Sequence, residues 1–138
     1  MRPELEVHIR ACWPDWFGQH TDTSKSLMGV GFQHGDGWFD LLVRTFKRIE
    51  PEVAAFNLEL AKIGTQFEII VVRQRFGELS IVAMPTTTEI IFAFLDARYE
   101  SLTICELCGA PGTLHTACSQ TLCQECMRRK AELHGPKG

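Results

Sequence analysis

Cys105-Glu106-Leu107-Cys108-Gly109 and, after a spacer, Leu122-Cys123-Gln124-Glu125-Cys126 form the stretch around which the rest of the chain is read. Two C-x-x-C pairs separated by fourteen residues have the spacing of a four-thiolate zinc site. A C-x-x-C turn lets two sulfurs converge on one ion while backbone N–H groups of the turn donate to them. Gly109 suits the tight knuckle after the first pair, because glycine takes positive φ without a Cβ clash. Two knuckles facing each other complete a tetrahedron with no open position. Such an ion, held by Cys105, Cys108, Cys123 and Cys126, supports structure and does not activate water.

Disulfides and a redox pair are the alternatives. A chain of this length with no signal peptide is expected in the cytosol, where disulfides are scarce. A thioredoxin-like site needs a single C-x-x-C between a strand and a helix. Cys118 and His115 lie in the spacer, and either could replace one of the four ligands. A closed site takes only four, which makes Cys118 a small buried thiol and His115 a loop residue.

Across 138 residues, 45% hydrophobic and 22% charged, the composition is that of an ordinary folded chain with no disordered tract. The length divides into a body over residues 1–102 and a zinc-ribbon-like module with a short tail over 103–138. Residues 1–100 carry ten Lys/Arg against fourteen Asp/Glu, and residues 101–138 four against three. A mildly acidic body lacks the basic footprint of a general nucleic-acid binder. No apolar run reaches membrane-spanning length.

Pro3 opens a short helix with Leu5, Ile9, Cys12 and Trp13 on one face, and Pro14 stops it. Cys12 reads as a buried small hydrophobe. Residues 18–37 are loop-like, and Asp36 is placed to cap the helix that follows. Phe39, Leu42, Val43, Phe46 and Ile49 give that helix its apolar stripe. Pro51 starts another, with Val53, Phe56, Leu60 and Ile63 inward and Gly64 at its end. The period then changes. Phe67–Arg75 and Leu79–Met84 are β-branched runs joined through Phe76-Gly77-Glu78 as a hairpin. Thr86 and Glu89 form a capping box for a third helix, with Ile91, Phe94, Leu95 and Leu102 inward. Met127–Lys130 adds a helical turn or two, and residues 135–138 fray. Helices beside a small antiparallel sheet define an α+β fold.

His34 and Asp36 are polar neighbours in a glycine-flanked loop beside Trp38, and His20 could join them as a general base or second metal site. No nucleophile or carboxylate pair accompanies them, so a capping Asp36 and a loop His34 are the simpler reading. Arg73, Arg75, Arg128, Arg129 and Lys130 could touch phosphates, but scattered cations in an acidic chain form a solvated face. There is no P-loop, H-E-x-x-H or G-x-S-x-G motif.

Three segments, in order, carry a resemblance. They are Gly35-Asp36-Gly37-Trp38 leading a helix, Arg73-Gln74-Arg75-Phe76-Gly77-Glu78-Leu79 at a hairpin, and Cys105–Gly112 ahead of Leu122–Cys126. Over residues 28–126 the chain resembles a family of small phage and prophage proteins. That family has a G-D-G-W segment, a K-E-K-F-G-G-L-R-like hairpin and a C-terminal CxxC…CxxC zinc ribbon. Two positions depart from the pattern: His34 stands where a cysteine is associated with the family, and Glu78 replaces the hairpin's second glycine. Both argue against an invariant active site in that loop.

The resemblance implies a non-enzymatic accessory protein in the bacterial host cytoplasm. It would bind and inhibit or redirect a host protein or defence complex, an anti-CRISPR-like role being one instance. Trp13, Trp16 and Trp38 could anchor that interface, though a tryptophan is more often part of the core. The alternative is a zinc-dependent nucleic-acid-binding regulator using Arg128–Lys130, and a third reading is a hydrolase centred on His34 and Asp36. No membrane partner is expected.

Overall fold

A computed structural model describes residues 1–18, 28 and 31–133. His20 and the tail at 135–138 lie outside the described residues. The elements run α1 (Pro3–Cys12), a 3-10 turn (Asp36–Trp38), α2 (Phe39–Ala61), β1 (Glu68–Arg75), β2 (Glu78–Met84), α3 (Thr88–Ser101), β3 (Thr113–His115), β4 (Gln120–Leu122) and α4 (Gln124–Leu133). The two sheets are antiparallel pairs, β1–β2 and β3–β4, so the fold is α+β.

One helix, α2, replaces the two expected around Pro51. Proline inside a helix removes one backbone bond and crowds the preceding turn. Here the ring faces solvent, while Ile49 and Val53 on either side of it are both buried in one continuous stripe. Burial of that stripe outweighs the lost bond. Beyond it Ile63 is 75% exposed rather than inward, and Gly64 takes φ 73° as the chain leaves the helix.

The buried face of α3 also differs from expectation. Ile90, Ala93, Phe94, Ala97 and Ser101 are buried, whereas Ile91 and Leu95 reach the surface and Leu102 is half-buried. Ala93 and Ala97 let α2 approach closely, and the larger residues are displaced to the rim. The N-cap is Thr87, whose Oγ1 accepts from the Ile90 N–H at 3.3 Å, one residue after the expected Thr86. Ion pairs Arg44–Glu100 and Arg48–Asp96 bridge α2 and α3 at the surface, where such pairs add little stability.

The β1–β2 turn has two residues, Phe76 (φ 54°) and Gly77 (φ 88°), with Glu78 already in the strand. Positive φ at both positions is the type I′ geometry that matches strand twist. The outer edge of β1 is covered: Gln33 N–H donates to Val72 O at 3.0 Å, and Gln74 N–H to Gln33 O at 2.8 Å.

Trp13, Trp16 and Trp38 are 5%, 7% and 0% exposed, so none is available as an interface anchor. Trp13 and Trp16 stack, both meet Phe46 edge-on, and the Trp13 indole donates to Glu50 at 2.7 Å, fastening α1 to α2. Cys12, on the outer side of α1, is exposed rather than buried. A second apolar cluster, separate from this core, gathers Cys105, Leu122 and Cys126.

Candidate metal centre

Cys105, Cys108, Cys123 and Cys126 come together with their sulfurs all within 4.8 Å of one another. The Cys108–Cys123 sulfur separation is 3.6 Å. Four sulfurs at about 2.3 Å from a central ion sit about 3.8 Å apart in a tetrahedron, so the spacing fits thiolate coordination. It is far too long for a disulfide, and all the cysteines are free.

The first knuckle is closed by Cys105 N–H to Ala110 O (2.7 Å) and Gly109 N–H to Cys105 O (2.9 Å), with Gly109 at φ 82°. The second lies at the start of α4, where the Cys126 N–H donates to the Cys123 sulfur at 3.3 Å. The short β3–β4 hairpin carries the chain between them. Burial pushes the Cys105 thiol up, but backbone N–H groups of Cys123, Cys108 and Leu107 outweigh it and bring it down to about 7. Burial and the neighbouring sulfurs push Cys126 up. Four sulfurs this close cannot all be thiolate unless a cation lies between them. Cys118 is half-buried against the cluster, its sulfur 3.7 Å from His115 O, and neither residue belongs to the four-ligand group.

The loop at Gly35–Trp38 is the seat of the first knuckle. Gly37 N–H donates to Glu106 O at 2.7 Å, and the Trp38 indole donates to Ile104 O at 2.9 Å. A Cβ on Gly37 would lie 2.0 Å from Cys105 O, and one on Gly35 would lie 2.5 Å from Glu106 O. The backbones touch, so glycine is required at both. The Glu106 side chain, 4% exposed, accepts from Gln120 Nε2 at 3.0 Å and from the Gly35 N–H. Its carboxyl is raised, because burial outweighs those partners.

The tip of the β1–β2 hairpin seats the other half of the module. Gly77 O accepts from the buried Thr121 hydroxyl at 2.7 Å, and Gln74 Nε2 donates to Ser119 O. A Cβ on Gly77 would lie 2.3 Å from Leu114 Cδ1. The G-D-G-W segment and the hairpin turn, remote in sequence, thus grip one small metal module from two sides.

Asp36 does not cap α2. Its carboxylate accepts from Arg2, at 2.7 Å from the backbone N and 2.6 Å from Nε, and fixes the start of α1. Those Arg2 donors hold the Asp36 carboxyl below its ordinary range against the opposing effect of desolvation. His34 is 7% exposed, with ring centroids of Phe32 and Trp38 6.0 and 5.8 Å away. Its Nδ1 lies 2.7 Å from Gly35 O, which identifies Nδ1 as the protonated nitrogen, and Nε2 has no partner among the described residues. Burial chiefly, with the chain's amino group, lowers its pKa to about 4.

The cations of 128–130 are largely engaged. Arg128 pairs with Glu125 and Glu132, Arg129 with Glu125, and Lys130 donates to Gln120 Oε1. Glu106 and Thr121 join the seam without any sequence signal that marks them. No helix among the described residues is long and apolar enough to cross a membrane. No family model, curated protein or solved structure matches the chain.

Proposed function

We propose that this is a non-enzymatic, phage-type accessory protein. A structural Zn2+ on Cys105, Cys108, Cys123 and Cys126 staples it, and it acts by binding a host protein complex and inhibiting or redirecting it. Anti-defence activity of the anti-CRISPR kind is one instance. The observation that carries the reading is the use to which the polar loop is put. Asp36 is paired with Arg2, His34 is enclosed by aromatic rings, and Gly35 and Gly37 press on the first knuckle. Among the described residues, Asp36, Gly35 and Gly37 thus serve the packing of the loop, which supports a structural reading of it. Zinc suits the all-sulfur, four-coordinate donor set and leaves no position for substrate. The phage context comes from the resemblance of the three segments now seen to converge.

The test is affinity capture from bacterial lysate with the metal-loaded protein, followed by identification of both protein and nucleic acid. A stoichiometric host protein that survives nuclease treatment supports the reading. Retention of nucleic acid that falls steeply with salt would replace it with a nucleic-acid-binding regulator. The engagement of Arg128 and Arg129 by Glu125 and Glu132 weighs against that second outcome.

A further inference from the structure

The four sulfurs of the metal centre are unequally sheltered. Cys105 and Cys126, one from each knuckle, are buried in the small apolar cluster with Leu122. Cys108 is exposed and Cys123 half-buried. Burial thus divides the centre across its knuckles, into an inner pair and an outer pair. Each outer cysteine also borders open space. Cys108 lines a cleft of about 530 Å³ with Arg129 and Lys130, and Cys123 lines a second of about 250 Å³ beside Pro111 and Gly112. The buried Cys126 forms part of the first wall, so that cleft runs directly to the cluster.

The outer sulfurs are 3.6 Å apart. A disulfide needs them at about 2.05 Å, so a modest approach of two side chains on the solvent side closes it. The inner pair is less available. Cys105 accepts from the backbone N–H groups of Cys123, Cys108 and Leu107, whereas Cys108 accepts from that of Ala110 and Cys123 from that of Cys126. Donors on a thiolate draw off charge and lower its nucleophilicity, which leaves the exposed Cys108 as the sulfur that reacts first.

We infer that Cys108 and Cys123 are an oxidation site, at which a hydroperoxide makes a disulfide across the two knuckles and so unloads the metal. The Cys108 sulfur attacks one peroxide oxygen: an S–O bond forms, the O–O bond breaks, and the departing alkoxide or hydroxide takes a proton from water. The Cys123 sulfur then attacks the Cys108 sulfur, forming the S–S bond and expelling hydroxide, which leaves as water. The two thiolates supply the electron pair that the peroxide accepts. Cys105 and Cys126 alone do not make a closed four-sulfur shell, and the ion departs. A dithiol reductant breaks the bond and lets the centre reload. The inference rests on the structural metal proposed above and adds the condition under which it is given up.

The test uses the full, zinc-loaded chain carrying Cys12→Ser, which removes the exposed thiol on α1 that would consume oxidant. Zinc per chain is measured first, an equimolar amount of hydrogen peroxide is added, and a chromophoric chelator follows the ion. Cleavage after Glu106, Leu114, Leu122 and Glu125 puts Cys105, Cys108, Cys118, Cys123 and Cys126 on separate peptides, so mass spectrometry identifies the bond. The expected result is a Cys108–Cys123 disulfide with one ion released for each. Cys105 and Cys126 should be recovered as free thiols, and dithiothreitol with added Zn2+ should restore the bound metal. Cys118→Ser should leave rate and product unchanged, since Cys118 lies outside the four-sulfur group. Zinc retained under conditions that oxidise Cys12 of the wild-type chain overturns the inference and spares the structural metal. So does a bond that joins Cys105 to Cys108 or uses Cys118. A chain that binds no zinc overturns both.

Discussion

The indole of Trp38 donates to the carbonyl of Ile104 across 2.9 Å of space and 66 residues of chain. Ile104 immediately precedes Cys105, the first of the four clustered cysteines, so this one bond ties the loop before α2 to the first knuckle. Trp38→Phe keeps most of the buried ring but leaves a carbonyl unpaired. The expected loss is about 1–3 kcal/mol, read by chemical denaturation of the metal-loaded protein.

Gly37→Ala should be more damaging, because its Cβ would fall 2.0 Å from Cys105 O and 2.6 Å from Gly109 N. Backbone cannot yield as a side-chain tip can, and a loss of about 2–4 kcal/mol is expected together with weaker metal retention. Gly64→Ala is the control: nothing lies within 4 Å, and only the strain of φ 73° remains. Its cost should be about 1 kcal/mol with metal content unchanged. Equal effects of the two variants would contradict the seam.

Metal content per chain should be one. Cys105→Ser should lower both metal content and thermal stability, since ligand binding and folding of the segment are coupled. Cys118→Ser and His115→Ala should leave the ratio at one, because neither side chain belongs to the four-sulfur group. A second equivalent of metal lost with Cys118 would refute the ligand assignment.

Stability should fall with acid in a window set partly by His34. Its folded pKa of about 4 lies below the ordinary 6.5, so between those values the unfolded chain binds the extra proton. This contribution is therefore fully present above pH 6.5 and is lost as pH falls toward 4, by at most about 3 kcal/mol. Thiolate protonation also weakens metal binding in acid. The check is thus the difference between the wild type and His34→Gln, whose stability profile should be flatter over that window at equal metal occupancy.

Thr121→Val removes the hydroxyl that satisfies Gly77 O at the other side of the module. A cost of about 1–2 kcal/mol is expected, with amide exchange quickened at the hairpin tip. Unchanged exchange there would show that the hairpin and the module are not mechanically joined.

The elements were legible where a period or a spacing was long enough to be unambiguous. The four sulfurs, the β1–β2 hairpin and the stripe of α2 from Phe39 to Ile49 could all be read from the chain. Pro51 misled because local propensity was overruled by a continuous buried face. Large size does not imply inwardness on α3: Ile91 and Leu95 reach the surface, because a close helix crossing selects Ala93 and Ala97. The role of Asp36 was hidden for a different reason. Its partner, Arg2, is 34 residues away, and nothing in a single sequence reports such a pairing. The same holds for Glu106 and Thr121, whose neighbours are set only by the finished fold.

The two seats for the metal module, at residues 35–38 and 74–77, lie earlier in the chain than the segment from Ile104 to Thr121 that rests on them. A growing chain therefore carries both seats before the segment that fills them has been made. Closure of the module is thus expected to follow synthesis of the body, with metal supply governing how much of the newly made chain reaches the finished fold.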